Sequence, residues 1–367
     1  MEKSLTVNYQ EKPCYDIIFD RSFDGLSEAI KNLGFENRKF AIVTDSNVDK
    51  LYSKEVENII SGISGKVIKC VIPAGENNKN LSEIEKIYEQ LILEHFDRHD
   101  LIIALGGGVV GDMAGYAAAT YLRGISFIQI PTTLLAQTDS SIGGKTGVDF
   151  KGYKNMIGAF HMPKLVYMNL STLKSLDERQ YISGFAEVMK HGLIKDAEFY
   201  TWLIDNLYEI CERDIDVLSD MVPRSCDIKR RVVEKDPTEK GDRALLNFGH
   251  TLGHAIEKAK NFELMHGECV ALGSVAAAYI SWKKDMISME EYYEIRDMFV
   301  PFGLPISVED IDVDEVIKLT KSDKKADSDK IRFILLKKVG KAVTDTTVTD
   351  DEMKAALNEI LYVENND

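Results

Sequence analysis

Over the first 170 positions the apolar residues fall into short runs separated by polar stretches. Runs at 15–19, 39–43, 66–72, 101–105, 126–130 and 165–168 are rich in Ile, Val, Leu, Phe and Tyr and have the length of strands. Between them the apolar spacing widens to that of helices, as at 82–95, where Ser82 and Glu85 supply a capping box. This alternation predicts parallel strands joined by crossover helices, an open sheet whose ligands bind beyond the carboxyl ends of the strands. From position 171 the pattern changes. Residues 178–194, 197–212, 216–235, 244–260 and 267–282 carry helical periodicity, and no strand-like run returns until 331–336. No Ser/Pro-rich linker marks the change, so we expect an α/β domain over 1–170 and a mostly α-helical domain over 171–367.

Composition narrows the partners. With 44% hydrophobic and 29% charged residues the chain has the mix of a globular protein with a large core. Its net charge of -15 removes the cationic face that nucleic acid and anionic membranes require, so neither is expected as a partner, and any local basic cluster becomes informative. Cys14, Cys70, Cys211, Cys226 and Cys269 have no paired spacing, and neither a signal sequence nor an apolar run of membrane-spanning length is seen. A reduced, cytoplasmic protein is expected.

Candidate chemistry lies where the predicted strands end. Gly106, Gly108 and Gly111 give the spacing G-x-G-x-x-G before an Ala-rich helical run. Such glycines allow close backbone approach and leave helix amides free for phosphate, but they serve equally for tight helix packing. The motif is misplaced for the usual dinucleotide fingerprint, since it follows the fourth or fifth strand and no acid stands about twenty residues on. Asp45 and Asn47 follow one strand, Glu76 and Lys79 another, and Thr132 and Thr133 a third. Each alone is an ordinary turn or cap residue; together they line one edge of the sheet. The polar stretch 138–155 reads as a long glycine-containing loop, with Asp139, Lys145, Lys154 and Asn155 supplying anion-binding groups or solvated surface.

Three of the seven histidines fall in residues 243–268. His250 and His254 are four apart and share one helix face, and His266 follows a turn-like break at 260–262. These imidazoles can surround one divalent cation, or cap a helix and sit at the surface. Thr251 stands where the zinc-protease helix motif needs Glu, which disfavours peptide hydrolysis by that route.

Taken together, GGGVVGD at 106–112, PTTLLAQTDSSIGGKTGVD at 131–149, Lys154-Asn155, GFAEVMKHGLI at 184–194 and LNFGHTLGHAIE at 246–257 closely resemble the 3-dehydroquinate synthase family. The resemblance covers nearly the whole chain. It implies an α/β N-terminal Rossmann-like NAD-binding domain at 1–170 and a mostly α-helical C-terminal metal- and substrate-binding domain at 171–367. It also implies conversion of 3-deoxy-D-arabino-heptulosonate 7-phosphate to 3-dehydroquinate, with NAD used without net turnover and one divalent metal, zinc or cobalt.

By matching position, Glu187, His250 and His266 are the implied metal ligands. Asp45, Asn47, Glu76, Lys79, Gly107, Gly108, Val109, Gly111, Asp112, Thr132 and Thr133 are the implied NAD contacts, with Lys145 and Lys154 adjoining both NAD and substrate. The implied substrate set is Lys145, Lys154, Asn155, Lys229, Arg243, Asn247 and His254, with Asp139 and Lys190 completing the polar shell. Within that set Lys229 and Arg243 would hold a carboxylate, and Lys154, Asn155 and His254 would meet the phosphate region. Arg123 matches a residue that reaches the neighbouring subunit's phosphate, implying a homodimer. Lys325, or its neighbour Lys324, would close the phosphate end.

Departures from the family pattern at Thr172, Ser175, Asp177 and Gln180 fall where the family approaches NAD, and Pro237 replaces a usual Glu. None removes an implied metal ligand or basic substrate contact, so Ala at Glu187, His250 or His266 is expected to abolish metal binding and turnover with the fold largely intact. Two other enzyme classes share parts of this apparatus: 2-deoxy-scyllo-inosose synthase-like cyclases and metal-dependent alcohol or glycerol dehydrogenases. Lys229 and Arg243 favour a carboxylate-bearing substrate over the neutral sugar phosphates of the first, and the simple alcohols of the second need no such collection of phosphate and carboxylate partners. A non-catalytic NAD-binding protein would not need the metal triad beside so many basic groups.

Overall fold

The computed structural model describes residues 4–239, 241–322 and 331–362. The chain forms two compact units, Met1–Leu176 with Leu218–Arg230, and Asp177–Val217 with Arg231–Asp367.

The first unit is built on a seven-stranded sheet. Its strands are β1 (Ser4–Tyr9), β2 (Lys12–Asp20), β3 (Lys39–Asp45), β4 (Lys66–Ile72), β5 (Leu101–Gly106), β6 (Ser126–Pro131) and β9 (Leu165–Asn169), in the order β1-β2-β9-β6-β5-β3-β4. Every pairing is parallel except β1 with β2. All six predicted strands are present.

Alternate residues enter two cores. Phe40, Ile42, Leu101 and Ile103 pack on one face, and Ala41, Val43, Ile102 and Ala104 on the other. Burial on both faces is why these strands read as unbroken apolar runs. The connection from β3 moves outward to β4, and the chain then returns past β3 to β5 and continues the other way. The carboxyl ends of β3 and β5 therefore flank the topological switch point, where open α/β sheets bind ligands.

Two expectations for this unit need correction. The helix Leu81–Leu93 is capped by Asn80, whose side chain accepts from the Glu83 amide, in place of Ser82 with Glu85. Asn80 lies extended, and so has the cap geometry that Ser82, already inside the helix, lacks. The stretch 138–155 is no structureless loop: a helical turn, Ala136–Ser140, leads into the antiparallel hairpin of β7 (Lys145–Phe150) and β8 (Tyr153–Phe160).

The second unit is helical with one added hairpin, β10 (Phe333–Lys338) with β11 (Lys341–Asp345). The helix expected over 197–212 is two, Ala197–Asp205 and Leu207–Cys211, broken at Asn206. The one expected over 244–260 is a 3-10 turn, Asp242–Asn247, followed by the helix His250–Ala259. Gly249 separates them at φ 78, and its carbonyl oxygen would lie 1.9 Å from a Cβ on Gly273. The turn is thus pressed against the helix His266–Lys283 at a distance only glycine allows. Among the described residues no helix is long and apolar enough to cross a membrane.

Candidate functional site

Three helices of the second unit bring a carboxylate and two imidazoles together. Glu187 lies within Glu178–Lys195, while His250 and His266 each open a helix. Glu187 Oε1 is 3.5 Å from Nε2 of His250 and 3.5 Å from Nε2 of His266. Tetrahedral ligands bound at roughly 2.0–2.1 Å stand about 3.4 Å apart. Both carboxylate–imidazole distances match the spacing of two ligands on one zinc-like ion.

The first turn of the His266 helix is held from outside. The Gly267 amide donates to the Ser183 hydroxyl at 3.0 Å. Arg179 grips Glu268 through both carboxylate oxygens, at 2.7 and 2.8 Å, and Glu268 accepts from the Met265 amide.

His254 lies one turn beyond His250 and is exposed, with its ring centroid 5.0 Å from that of His250 and 5.7 Å from that of His266. A three-imidazole set and a Glu-His-His set are therefore both geometrically available, sharing His250 and His266. Glu187 distinguishes them. It is only 1% exposed, and a carboxylate so buried requires cationic neighbours, whereas exposed His254 is solvated where it stands.

Lys190, equally buried, pairs with Glu187. Burial alone would push the Glu187 carboxyl up, but Lys190 and the imidazoles hold it well below the usual carboxylate range. Burial and Lys190 keep His250 well below the ordinary histidine value, so it is neutral at pH 7. For His266 desolvation works against charge, yet Glu187 and Glu257 raise it to about 9. Without a cation, His266 is therefore protonated at neutral pH.

Arg243 and Asn247 come from the 3-10 turn of the same unit. Arg243 is buried, with one guanidinium nitrogen donating to the Pro237 carbonyl at 2.7 Å, and Asn247 donates to Glu239 at 2.9 Å. Pro237 thus retains the one backbone group this contact uses.

In the first unit, the expected residues gather at the strand ends. Asp45 accepts from the amides of Asn47 and Val48, at 2.8 and 3.1 Å, and so shapes the turn after β3. Gly107 and Gly108 lead from β5 into the helix Gly108–Thr120, whose first amides have no side-chain cap and no acid in the first turn. Such a helix start suits a phosphate. A Cβ on Gly111 would lie 2.7 Å from Gln129 Oε1 and one on Gly108 3.0 Å from Ser140 Oγ; Val109, next to Gly108, is half-buried. The Thr132 amide bonds to the Gly106 carbonyl at 3.0 Å, and Thr133 Oγ1 accepts from Ala136 at 3.1 Å.

Buried Lys79 is a junction. Its ammonium donates to Asp112 at 2.7 Å and to Asn155 at 2.6 Å, with Glu76 at 3.7 Å. Desolvation opposes its charge, but Asp112 and Glu76 hold it above the usual lysine value. Asn155, grouped by resemblance with the substrate set, thus meets a member of the dinucleotide set. Lys229 is bonded to the Asp139 carbonyl and carboxylate, each at 2.6 Å. Lys145 opens β7 and is exposed, and Lys154 is half-buried on β8. Arg123 is exposed at φ 69. Lys325 lies outside the described residues.

Two departures from the family pattern are taken up internally. Thr172 Oγ1 accepts from Gln137 at 3.3 Å and donates to the Asn169 carbonyl at 2.8 Å, and Ser175 meets the Tyr52 hydroxyl. What the sequence reading missed is the support: Ser183, Gly267, the Arg179–Glu268 clamp and Glu257, whose Oε2 is 4.0 Å from His266 Nδ1. Only Glu257 lay inside a recognised motif, and nothing about its position there marked a role.

A family model described as 3-dehydroquinate synthase N-terminal matches residues 69–183, and one described as 3-dehydroquinate synthase C-terminal matches residues 184–326. The chain is 47% identical over 349 residues to a 3-dehydroquinate synthase of Acetivibrio thermocellus, covering 95% of this chain and 96% of that one. Among solved structures, 2-deoxy-scyllo-inosose synthase complexed with carbaglucose-6-phosphate, NAD+ and Co2+ superposes with a TM-score of 0.87 at 25% identity, over 98% of this chain and 100% of that one. A 2-epi-5-epi-valiolone synthase from Streptomyces hygroscopicus with NAD+ and Zn2+ bound gives 0.88 at 26% identity, over 97% and 99%.

Proposed function

The chain belongs to the 3-dehydroquinate synthase family, and from that premise we propose which of its residues carry the family's reaction. The activity is that of a lyase of the shikimate pathway, converting 3-deoxy-D-arabino-heptulosonate 7-phosphate to 3-dehydroquinate and phosphate. The reaction runs through transient oxidation of the substrate, loss of phosphate, re-reduction and intramolecular aldol closure.

The observation that carries the residue assignment is the convergence of Glu187 Oε1 with Nε2 of His250 and Nε2 of His266, each 3.5 Å away. These three atoms are our candidates to hold one divalent cation, zinc or cobalt, with coordination positions left over for substrate. For NAD, the uncapped start of Gly108–Thr120 beside the switch point offers a pyrophosphate site, with Asp45, Asn47, Glu76 and Lys79 at neighbouring strand ends. When bound, NAD takes up and returns a hydride, and the cation acts as a Lewis acid toward substrate oxygens.

The substrate carries a phosphate and a carboxylate, whereas the chain carries a net charge of -15. Binding therefore depends on local cations. We assign Arg243 and Lys229 to the carboxylate, the first by a charge-assisted fork and the second by exchanging its Asp139 contacts for substrate. Lys154, Asn155 and His254 are assigned to the phosphate, and Lys145 to the boundary of substrate and cofactor. Lys190 holds Glu187 ionised and Asn247 supplies a polar contact. Arg123 is assigned to a neighbouring subunit's site in a homodimer, which sedimentation of the wild type and of Arg123→Ala would test. The five free cysteines suit a reducing cytoplasm.

The deciding experiment is phosphate release by metal-loaded protein with NAD, following NADH in parallel and using glucose 6-phosphate as the competing substrate. Stoichiometric phosphate from the heptulosonate without accumulating NADH is expected. Phosphate from glucose 6-phosphate alone, or steady NADH from a simple alcohol, would overturn the assignment.

A further inference from the structure

Glu257 is a buried carboxylate to which none of the roles above gives a task. It sits near the end of the helix that His250 begins, and only 4% of it is exposed. The two stand seven positions apart, about two helical turns, so both lie on one face. Glu257 Oε2 stands 4.0 Å from His266 Nδ1, while Glu187 Oε1 stands 3.5 Å from Nε2 of the same ring. The imidazole therefore has a carboxylate at each nitrogen.

His250 repeats the arrangement with a neutral partner. Its Nδ1 lies 3.1 Å from the Phe248 carbonyl, and its Nε2 is turned to Glu187. In both rings Nδ1 faces an acceptor and Nε2 faces the common point.

We infer that Glu257 is a positioning residue that keeps the His266 proton on Nδ1 and so presents the Nε2 lone pair to the cation. The inference rests on reading Glu187, His250 and His266 as the metal ligands. A neutral imidazole has one N–H and one lone pair; with Glu187 engaged by the cation, the acceptor left beside Nδ1 decides which nitrogen keeps the proton. A carboxylate in that place also makes the ligating nitrogen more basic. Burying Glu257 has a desolvation cost, and the ring nitrogen it faces supplies a compensating partner. One helix thus contributes a ligand at its first residue and the support for a second ligand two turns later.

The test uses the full chain as wild type, Glu257→Gln, Glu257→Ala and Glu187→Ala. Zinc affinity is measured by competition with a chelator of known affinity, the visible spectrum of the cobalt-loaded protein reports ligand geometry, and circular dichroism without metal reports the fold. Both Glu257 variants are expected to lose about 10- to 100-fold in zinc affinity and to alter the cobalt spectrum. Gln should lose less than Ala, because its carbonyl still accepts. Unchanged affinity and spectrum in both, with zinc lost in Glu187→Ala, overturns the role of Glu257 alone. Zinc retained at full affinity by Glu187→Ala overturns the ligand reading instead. Nitrogen-15 spectra of zinc-loaded wild type check the tautomer without any variant: a proton on His266 Nδ1 supports the inference, and zinc on Nδ1 refutes it.

Discussion

Gly267 lies so close to Ser183 that a Cβ added to it would stand 1.8 Å from the Ser183 carbonyl oxygen. Ser183 is one turn before Glu187, and Gly267 directly follows His266. This single backbone approach sets the spacing of the two helices that supply the carboxylate and one imidazole.

Gly267→Ala should therefore damage both stability and metal binding. The added methyl meets backbone, which cannot rotate away, so the loss should reach or exceed the roughly 1–3 kcal/mol usual for overpacking. Thermal unfolding and a zinc titration would show it. A variant with unchanged melting and zinc affinity would mean that the two helices can separate without consequence.

Glu187→Ala removes a proposed ligand, but the structure adds a cost absent from the sequence-based expectation of an intact fold. Lys190 is 2% exposed and would lose its anionic partner. Breaking a buried pair from one side costs about 3–5 kcal/mol. We expect Glu187→Ala to unfold more readily than His250→Ala, and Glu187→Ala with Lys190→Met to regain stability without regaining turnover. Equal melting of the two single variants would contradict this.

The pH dependence follows from His266. Its value is raised from 6.5 to about 9, so its charge stabilises the cation-free fold fully below pH 6.5, and that stabilisation is lost as pH rises through about 9. In the proposed site, metal uptake would displace the same proton. Glu187 and His250, both held low, are already deprotonated at neutral pH. Zinc affinity should thus rise about tenfold per pH unit up to about pH 9, with about one proton released per ion from this site. Chelator competition at pH 7 and 8 would detect it; equal affinities would exclude His266 as the displaced acid.

Arg243→Ala should lower kcat/KM by the equivalent of about 2–5 kcal/mol if its guanidinium meets the substrate carboxylate in a desolvated pair. Arg243→Lys should recover little, since an ammonium cannot reproduce the fork. Steady-state kinetics with the heptulosonate would decide, and an unchanged kcat/KM would place the carboxylate elsewhere.

Much of the first unit was legible because β3, β5, β6 and β9 are buried on both sides and leave continuous apolar runs. β1 was not, since this edge strand alternates polar and apolar residues over only six positions. The hairpin of β7 and β8 was hidden by its polar and glycine residues, Gly147 facing Gly158 across the pair. At the candidate site, His250 and His266 stood out by type and spacing and Glu187 by its motif, and the structure brings these three side chains together. Gly267, Ser183 and Arg179 act through contacts distant in sequence, which no local period encodes.

The contact of Gly273 with Gly249 bears on any attempt to move this centre to another protein. Copying a glutamate and two histidines onto a generic helical bundle would bring the ligand types but leave the helices too far apart, because ordinary side chains would stand between them. The transferable unit is the set of near-touching backbones with its glycines, and a designer would have to build that scaffold before choosing a single ligand.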